Sequence, residues 1–246
     1  MKPPANYRPA PDLLRGRTIL ITGAGDGLGR AAALGCAQYG AAVILLGRTV
    51  KKLESTYDAI RAAGGVEPAI YPMNLAGANW NDYQELAATL EREMGALHGV
   101  LHCAAHFKEF APLQNVEPRE WMESLQVNLT APFALTRACV PLLEKSGEAS
   151  IVFVTDDAGR QGKRHRGAYG IAKWALEALM QNWAAELPAS SRLRMNSFHP
   201  GPLRTGLRAR GYPGEGRDTA PLPESAVPAL LWLLSADSNG VSGAQL

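Results

Sequence analysis

Cysteine is scarce in this 246-residue chain: three occur, Cys36, Cys103 and Cys139. They are odd in number, widely spaced and form no CxxC pair, which argues against a disulfide framework and a thiolate metal site. The five histidines, His98, His102, His106, His165 and His199, share no ligand spacing either, so no metal is expected. Excess charge is also missing. The formal net charge is +2, and no Lys/Arg run is long enough to make a nucleic-acid surface. No apolar run approaches the ~20 residues of a membrane span, and no signal-type h-region follows Met1. Unpaired thiols without an export signal point to a reducing compartment, the cytoplasm.

A local absence is more telling. No Asp or Glu occurs between Gly29 and Glu54. Before that gap stands Thr22-Gly23-Ala24-Gly25-Asp26-Gly27-Leu28-Gly29, preceded by the apolar run Thr18–Ile21 and followed by a small-residue run to Gln38. The order reads strand, glycine turn, helix. Such a turn lets backbone N–H groups reach a phosphate at a helix N-terminus, where the dipole favours an anion. The spacing is T-G-x-x-x-G-x-G rather than G-x-G-x-x-G. An NAD site would place an acid about 20 residues on, at the end of the second strand, to hold the ribose 2′-hydroxyl. That place holds Gly47, Arg48 and Thr49. An arginine there can clamp a 2′-phosphate, with the threonine hydroxyl assisting, so the expected cofactor is NADP.

The rest of the chain alternates apolar strands with helices. Ala42–Leu46 is continuous rather than alternating, the mark of a strand covered on both faces. Further strands are read at 67–73, 99–103, 150–154 and 193–198, with helices at 50–63, 80–94, 118–145 and 168–187. This order predicts an α/β fold: a single-domain, Rossmann-type, doubly wound parallel sheet with helices on both faces. A proline-rich flexible tail is expected over residues 1–11, one catalytic domain over 12–246, and a mobile loop over 206–223. Residues 241–246 read as the start of a final strand that stops short.

Tyr169-Gly170-Ile171-Ala172-Lys173 is the sharpest chemical signal. Residues four apart share a helix face. A lysine ammonium beside a phenol favours the phenolate and lowers its pKa. Such a tyrosine can exchange a proton with a carbinol oxygen while nicotinamide exchanges hydride.

With the glycine turn, Tyr169/Lys173, Gly159-Arg160-Gln161-Gly162 and Pro200-Gly201-Pro202-Leu203-Arg204-Thr205, the chain resembles the short-chain dehydrogenase/reductase family, and within it the YciK-like bacterial oxidoreductases. The resemblance implies Tyr169 as acid/base, Lys173 as its support on the nicotinamide ribose, and Asn128 as the asparagine that orders a water beside the lysine. It implies cofactor contacts from Gly23, Gly25, Asp26, Gly27, Leu28, Arg48, Thr49, Asn74, Leu75, Ala104, Tyr169, Lys173, Pro200, Gly201, Leu203 and Thr205. Asn74 stands where the family has an adenine-binding Asp. In His102-Cys103-Ala104-Ala105, which replaces the family's N-A-G, Cys103 reads as a small core residue and not a nucleophile.

The main departure is Asp156, at the position of the catalytic serine. An ionised carboxylate accepts hydrogen bonds and cannot donate them. Three readings follow. Asp156 is protonated and donates; Thr155 supplies the hydroxyl; or turnover is lost, leaving a non-catalytic or weakly active NADP-binding sensor or assembly partner. The implied substrate is a small carbonyl or alcohol. Lys163, Arg164, His165, Arg166, Arg204, Arg208 and Arg210 read either as an anion-recognising rim or as neutralisers of Asp156 and Asp157. The helix after Tyr169 is apolar around most of its circumference through Ile171, Trp174, Leu176, Leu179, Met180 and Trp183. This predicts a second partner surface, and the resemblance implies a homodimer or homotetramer; Trp174 and Trp183 as ordinary core is the alternative.

Overall fold

A computed structural model describes residues 7–246. Six parallel strands, β1 (Thr18–Thr22), β2 (Ala42–Gly47), β3 (Ala69–Pro72), β4 (Gly99–His102), β5 (Ala149–Val154) and β6 (Leu193–Phe198), form one sheet in the order β3-β2-β1-β4-β5-β6. The order reverses between β1 and β4, which is where open α/β sheets leave a crevice at the carboxyl ends of their strands. The helices are α1 (Gly27–Gln38), α2 (Val50–Ala62), α3 (Trp80–Met94), α4 (Pro118–Leu125), α5 (Ala131–Lys145), α6 (Gly167–Glu186), α7 (Gly206–Gly211) and α8 (Val227–Leu234).

The absence of hydrophobic alternation in the strands has a direct cause: both sheet faces are dry. Ile19, Ile21, Val43, Leu45 and Val152 feed one core with α1, α2 and α8. Leu20, Ile44, Leu46, Ile151 and Phe153 feed the other with α3, α5 and α6. The Ala/Gly composition of α1 permits close approach. A Cβ on Gly35 would lie 2.4 Å from Val227 Cγ1.

Four features differ from or refine the sequence reading. The helix expected over 118–145 is interrupted by a wide π turn at Gln126–Thr130. There Asn128, buried, donates to His106 O (2.8 Å) and Ser124 O (2.9 Å) and accepts from His106 N (3.0 Å). A local wide turn at a functional position is a recurrent use of π geometry. The segment expected to be a mobile loop carries α7, capped by Thr205 Oγ1, which accepts from Arg208 N (3.2 Å). Residues 244–246 lie parallel to β6, with Ser197 N bonded to Ala244 O (3.0 Å) and Leu246 N to Ser197 O (3.0 Å). Of the expected tail, residues 1–6 lie outside the described residues; Tyr7 donates to Asp237 Oδ2 (2.7 Å). Among the described residues no helix is long and apolar enough to cross a membrane.

Candidate active site

The crevice at the β1/β4 switch is a cavity of about 850 Å³, within the range of cofactor and ligand sites. It is lined by the glycine turn, Arg48 and Thr49 after β2, Asn74 and Leu75 after β3, Ala104 after β4, Asp156 after β5, Tyr169 and Lys173 on α6, and Pro200, Gly201, Leu203 and Thr205 after β6. Of the catalytic and cofactor-binding residues expected from the sequence, Asn128 is not among its walls, and of the basic residues Lys163, Arg164, His165 and Arg204 are not. The Asn128 side chain instead clasps the backbone of His106 and so fixes the loop after β4.

The turn fits a dinucleotide phosphate. Gly23 has φ +70°, and a Cβ there would stand 3.0 Å from Ala104 Cα. At Gly29 a Cβ would fall 2.3 Å from Gly23 O, so only glycine lets the turn close onto α1. Asp26 Oδ1 caps α1 by accepting from Gly27 N (2.8 Å), and Oδ2 is paired with Lys52 Nζ. The lysine bond is the largest cause holding Asp26 below the usual carboxylate range. Thr22 Oγ1 accepts from Ala104 N (3.0 Å), and Thr56 Oγ1 donates to Ala24 O (3.1 Å), tying the turn to its neighbours. Arg48 is exposed at the tip of β2, and no hydrogen bond or ion pair engages its guanidinium among the described residues.

Tyr169 sits in the first turn of α6, 7% exposed. Lys173, one turn on, places Nζ 5.6 Å from the Tyr169 ring centroid and donates to Val154 O (2.8 Å). Burial lowers the Lys173 pKa, against the pull of Asp156, Cys103 and Glu177. The sequence led us to expect a depressed phenol pKa. The balance here runs the other way: burial, then the charge of Asp156, raises Tyr169 well above its ordinary value. Asp156 itself caps the short turn Asp157–Gly159, with Oδ1 accepting from Ala158 N (2.6 Å).

The Thr155 hydroxyl is already engaged. Its Oγ1 donates to Glu177 Oε1 (2.8 Å), on a buried network that also takes Arg160 Nε (3.0 Å), Ser197 Oγ (2.5 Å) and Gln245 Nε2 (3.1 Å). Five of the basic residues have partners among the described residues. Asp157 receives Lys163, with Arg166 at 3.6 Å; Glu215 holds Arg208 bidentately (2.5 and 2.6 Å); Asp218 holds Arg204 (2.8 Å); Arg210 donates to Phe107 O (2.7 Å). Cys103 is at the cavity wall, and burial raises its thiol pKa, leaving it a poor nucleophile.

Sequence reasoning missed Phe107, Phe110 and Tyr212, which wall the cavity beside Tyr169. The only signal was the pair of phenylalanines three residues apart after β4. It also missed a cluster at the rim. Folding brings His106, Glu120 and Glu123 together, with ligand-type atoms within 4.8 Å of one another. His106 Nε2 meets Glu120 Oε2 at 2.9 Å and Glu123 Oε1 takes Arg119 Nε at 2.8 Å, so these groups satisfy one another.

The family model for short chain dehydrogenase matches residues 17–215. The chain belongs to the short-chain dehydrogenase family. It is 40% identical to the oxidoreductase YciK of Escherichia coli (strain K12) over 238 residues, covering 97% of this chain and 94% of that one. A short chain dehydrogenase from Pseudomonas syringae superposes with TM-score 0.96 at 44% identity, covering 98% of each chain. Another, from Escherichia coli CFT073 and complexed with NADPH, superposes with TM-score 0.93 at 40% identity, covering 97% of this chain and 98% of that one.

Proposed function

We propose that this chain is a cytoplasmic NADP-dependent oxidoreductase that moves hydride between nicotinamide and the carbon of a carbonyl or secondary alcohol. The observation that carries the reading is the buried Tyr169–Lys173 pair on the wall of the cavity that the glycine turn and Arg48 also line. Arg48 follows β2 where an NAD site would carry an acid, which supports a 2′-phosphate there, and a 40%-identical relative is complexed with NADPH. The bound dinucleotide supplies the hydride. Tyr169 donates its proton to the carbonyl oxygen in reduction, or takes it back in oxidation, at Oη. Lys173 holds positive charge beside the phenol, Asn128 fixes the loop after β4, and Asp156 stands in the serine position. Ile171 (39% exposed) and Trp174 (49% exposed) on α6 offer the surface for a homodimer or homotetramer.

A second reading has one observation in its favour. Asp156 faces the phenol with a charge that opposes a developing alkoxide, as expected of a member that binds NADP without turnover.

Fluorescence titration with NADPH and NADH, followed by a carbonyl panel, tests both readings. The expected result is tighter NADPH than NADH binding, with the difference lost in Arg48→Ala. Turnover should fall about 10²- to 10⁴-fold in Tyr169→Phe with NADPH binding retained. Turnover that appears only in Asp156→Ser selects the second reading; failure to bind either nucleotide overturns both.

A further inference from the structure

The cavity wall next to Tyr169 is aromatic and cross-braced. Phe107 meets the Tyr169 ring edge-on with centroids 5.4 Å apart. Phe110 stands 4.9 Å from Phe107, and Tyr212 stands 5.2 Å from Phe110, also edge-on. Two guanidiniums cover the outer rings: Arg166 Cζ lies 4.6 Å from the Phe110 centroid and Arg208 Cζ 4.7 Å from that of Tyr212. The rings come from two separate loops, and three bonds tie those loops together or to the start of α6. Arg210 holds Phe107 O (2.7 Å), Ala111 N bonds His165 O (3.0 Å), and Arg166 donates to Tyr212 Oη (3.1 Å). Gly211 completes the fit. A Cβ there would lie 3.1 Å from Phe110 and 3.3 Å from Phe107.

Charge points the same way. Arg166 and Arg208 are matched by Asp157 and Glu215. An anionic substrate would have to break those pairs, whereas a flat apolar group needs only to lie against rings already in place. A rigid aromatic wall favours a planar π-system over a puckered ring of equal size, because ring–ring geometry adds to buried area.

We infer that the substrate slot takes a carbonyl compound bearing an aromatic ring beside the carbonyl, or the corresponding aryl carbinol. The inference rests on the oxidoreductase reading for the identity of the reacting group. In reduction the carbonyl carbon accepts hydride from reduced nicotinamide dinucleotide and its oxygen accepts the Tyr169 proton. The C=O π bond is lost and the dinucleotide leaves oxidised.

Calorimetric titration of the full chain, with and without saturating NADP⁺, reads this preference without turnover. Three probes suffice: phenyl methyl ketone, cyclohexyl methyl ketone and 2-oxobutanoate. The aryl ketone should bind about three- to tenfold more tightly than the cyclohexyl ketone, with 2-oxobutanoate weakest. Phe110→Leu and Tyr212→Leu, which keep an apolar wall, should each shrink the aryl preference to within about twofold, and circular dichroism confirms that they fold. Equal or tighter binding of the cyclohexyl ketone or the oxo acid overturns the inference while leaving the oxidoreductase reading intact. So does an aryl preference unchanged in both leucine variants. An aryl preference without turnover of any ketone supports the slot and tells against the reaction instead.

Discussion

On the proposed roles of Tyr169 and Asp156, these two residues set the pH behaviour of the site. Reduction needs the neutral phenol, and a raised pKa keeps the phenol neutral throughout the physiological range. Carbonyl reduction should therefore show no loss from Tyr169 ionisation as pH rises through 9. Alcohol oxidation needs the phenolate, so its rate should still be climbing at pH 10. Asp156→Asn removes the negative charge that raises Tyr169, so the oxidation limb moves to lower pH; burial, the larger cause, remains, and the shift is partial. Matched pH–rate profiles of the two proteins check this, and an oxidation limb that stays in place removes Asp156 from the account. Tyr169 and Lys173 were legible in the chain because helical spacing alone puts i and i+4 on one face. The direction of the phenol's shift was not. It depends on burial and on a residue from another strand end, neither of which has a signature in local order.

The first βα crossing shows how far an element can be read in advance. Its strand, turn and helix follow from an apolar run, four alternate glycines and a stretch of small residues. The close contact of Gly29 with Gly23 O turns that pattern into a steric requirement. Gly29→Ala should weaken NADPH binding at least tenfold, read by fluorescence titration, because the clashing partner is backbone and has no rotamer to relieve it. Undiminished affinity would show that the turn yields elsewhere. The interruption of the helix at Asn128 was hidden for the opposite reason. Its sequence is good helix, and the wide turn is tied to a distant backbone, that of His106, with which Asn128 makes its bonds. The aromatic wall was largely hidden, since Tyr212 lies about a hundred residues from Phe107 and Phe110 in sequence.

At the scale of the whole molecule, Glu177 joins parts that the order of the chain keeps separate. One carboxylate, 2% exposed, receives Thr155 from the end of β5, Arg160 from the turn after it, Ser197 from β6 and Gln245 from the final segment. Glu177→Ala should cost about 3 kcal/mol, since it leaves several donors unpaired at once. Urea unfolding measures it, and a loss below about 1 kcal/mol would mean that water replaces the carboxylate. The doubly covered sheet was the most legible feature of all, because continuous apolar strands have few other uses. It also divides the interior in a way that sequence neighbours do not share. Leu20 and Ile21 are joined by one peptide bond yet point into opposite cores. A void opened at one is felt by α3, α5 and α6, and a void at the other by α1, α2 and α8. Substitutions can accumulate on one side of the sheet while the opposite side keeps its packing, so the two layers are free to diverge at different rates around a single nucleotide crevice.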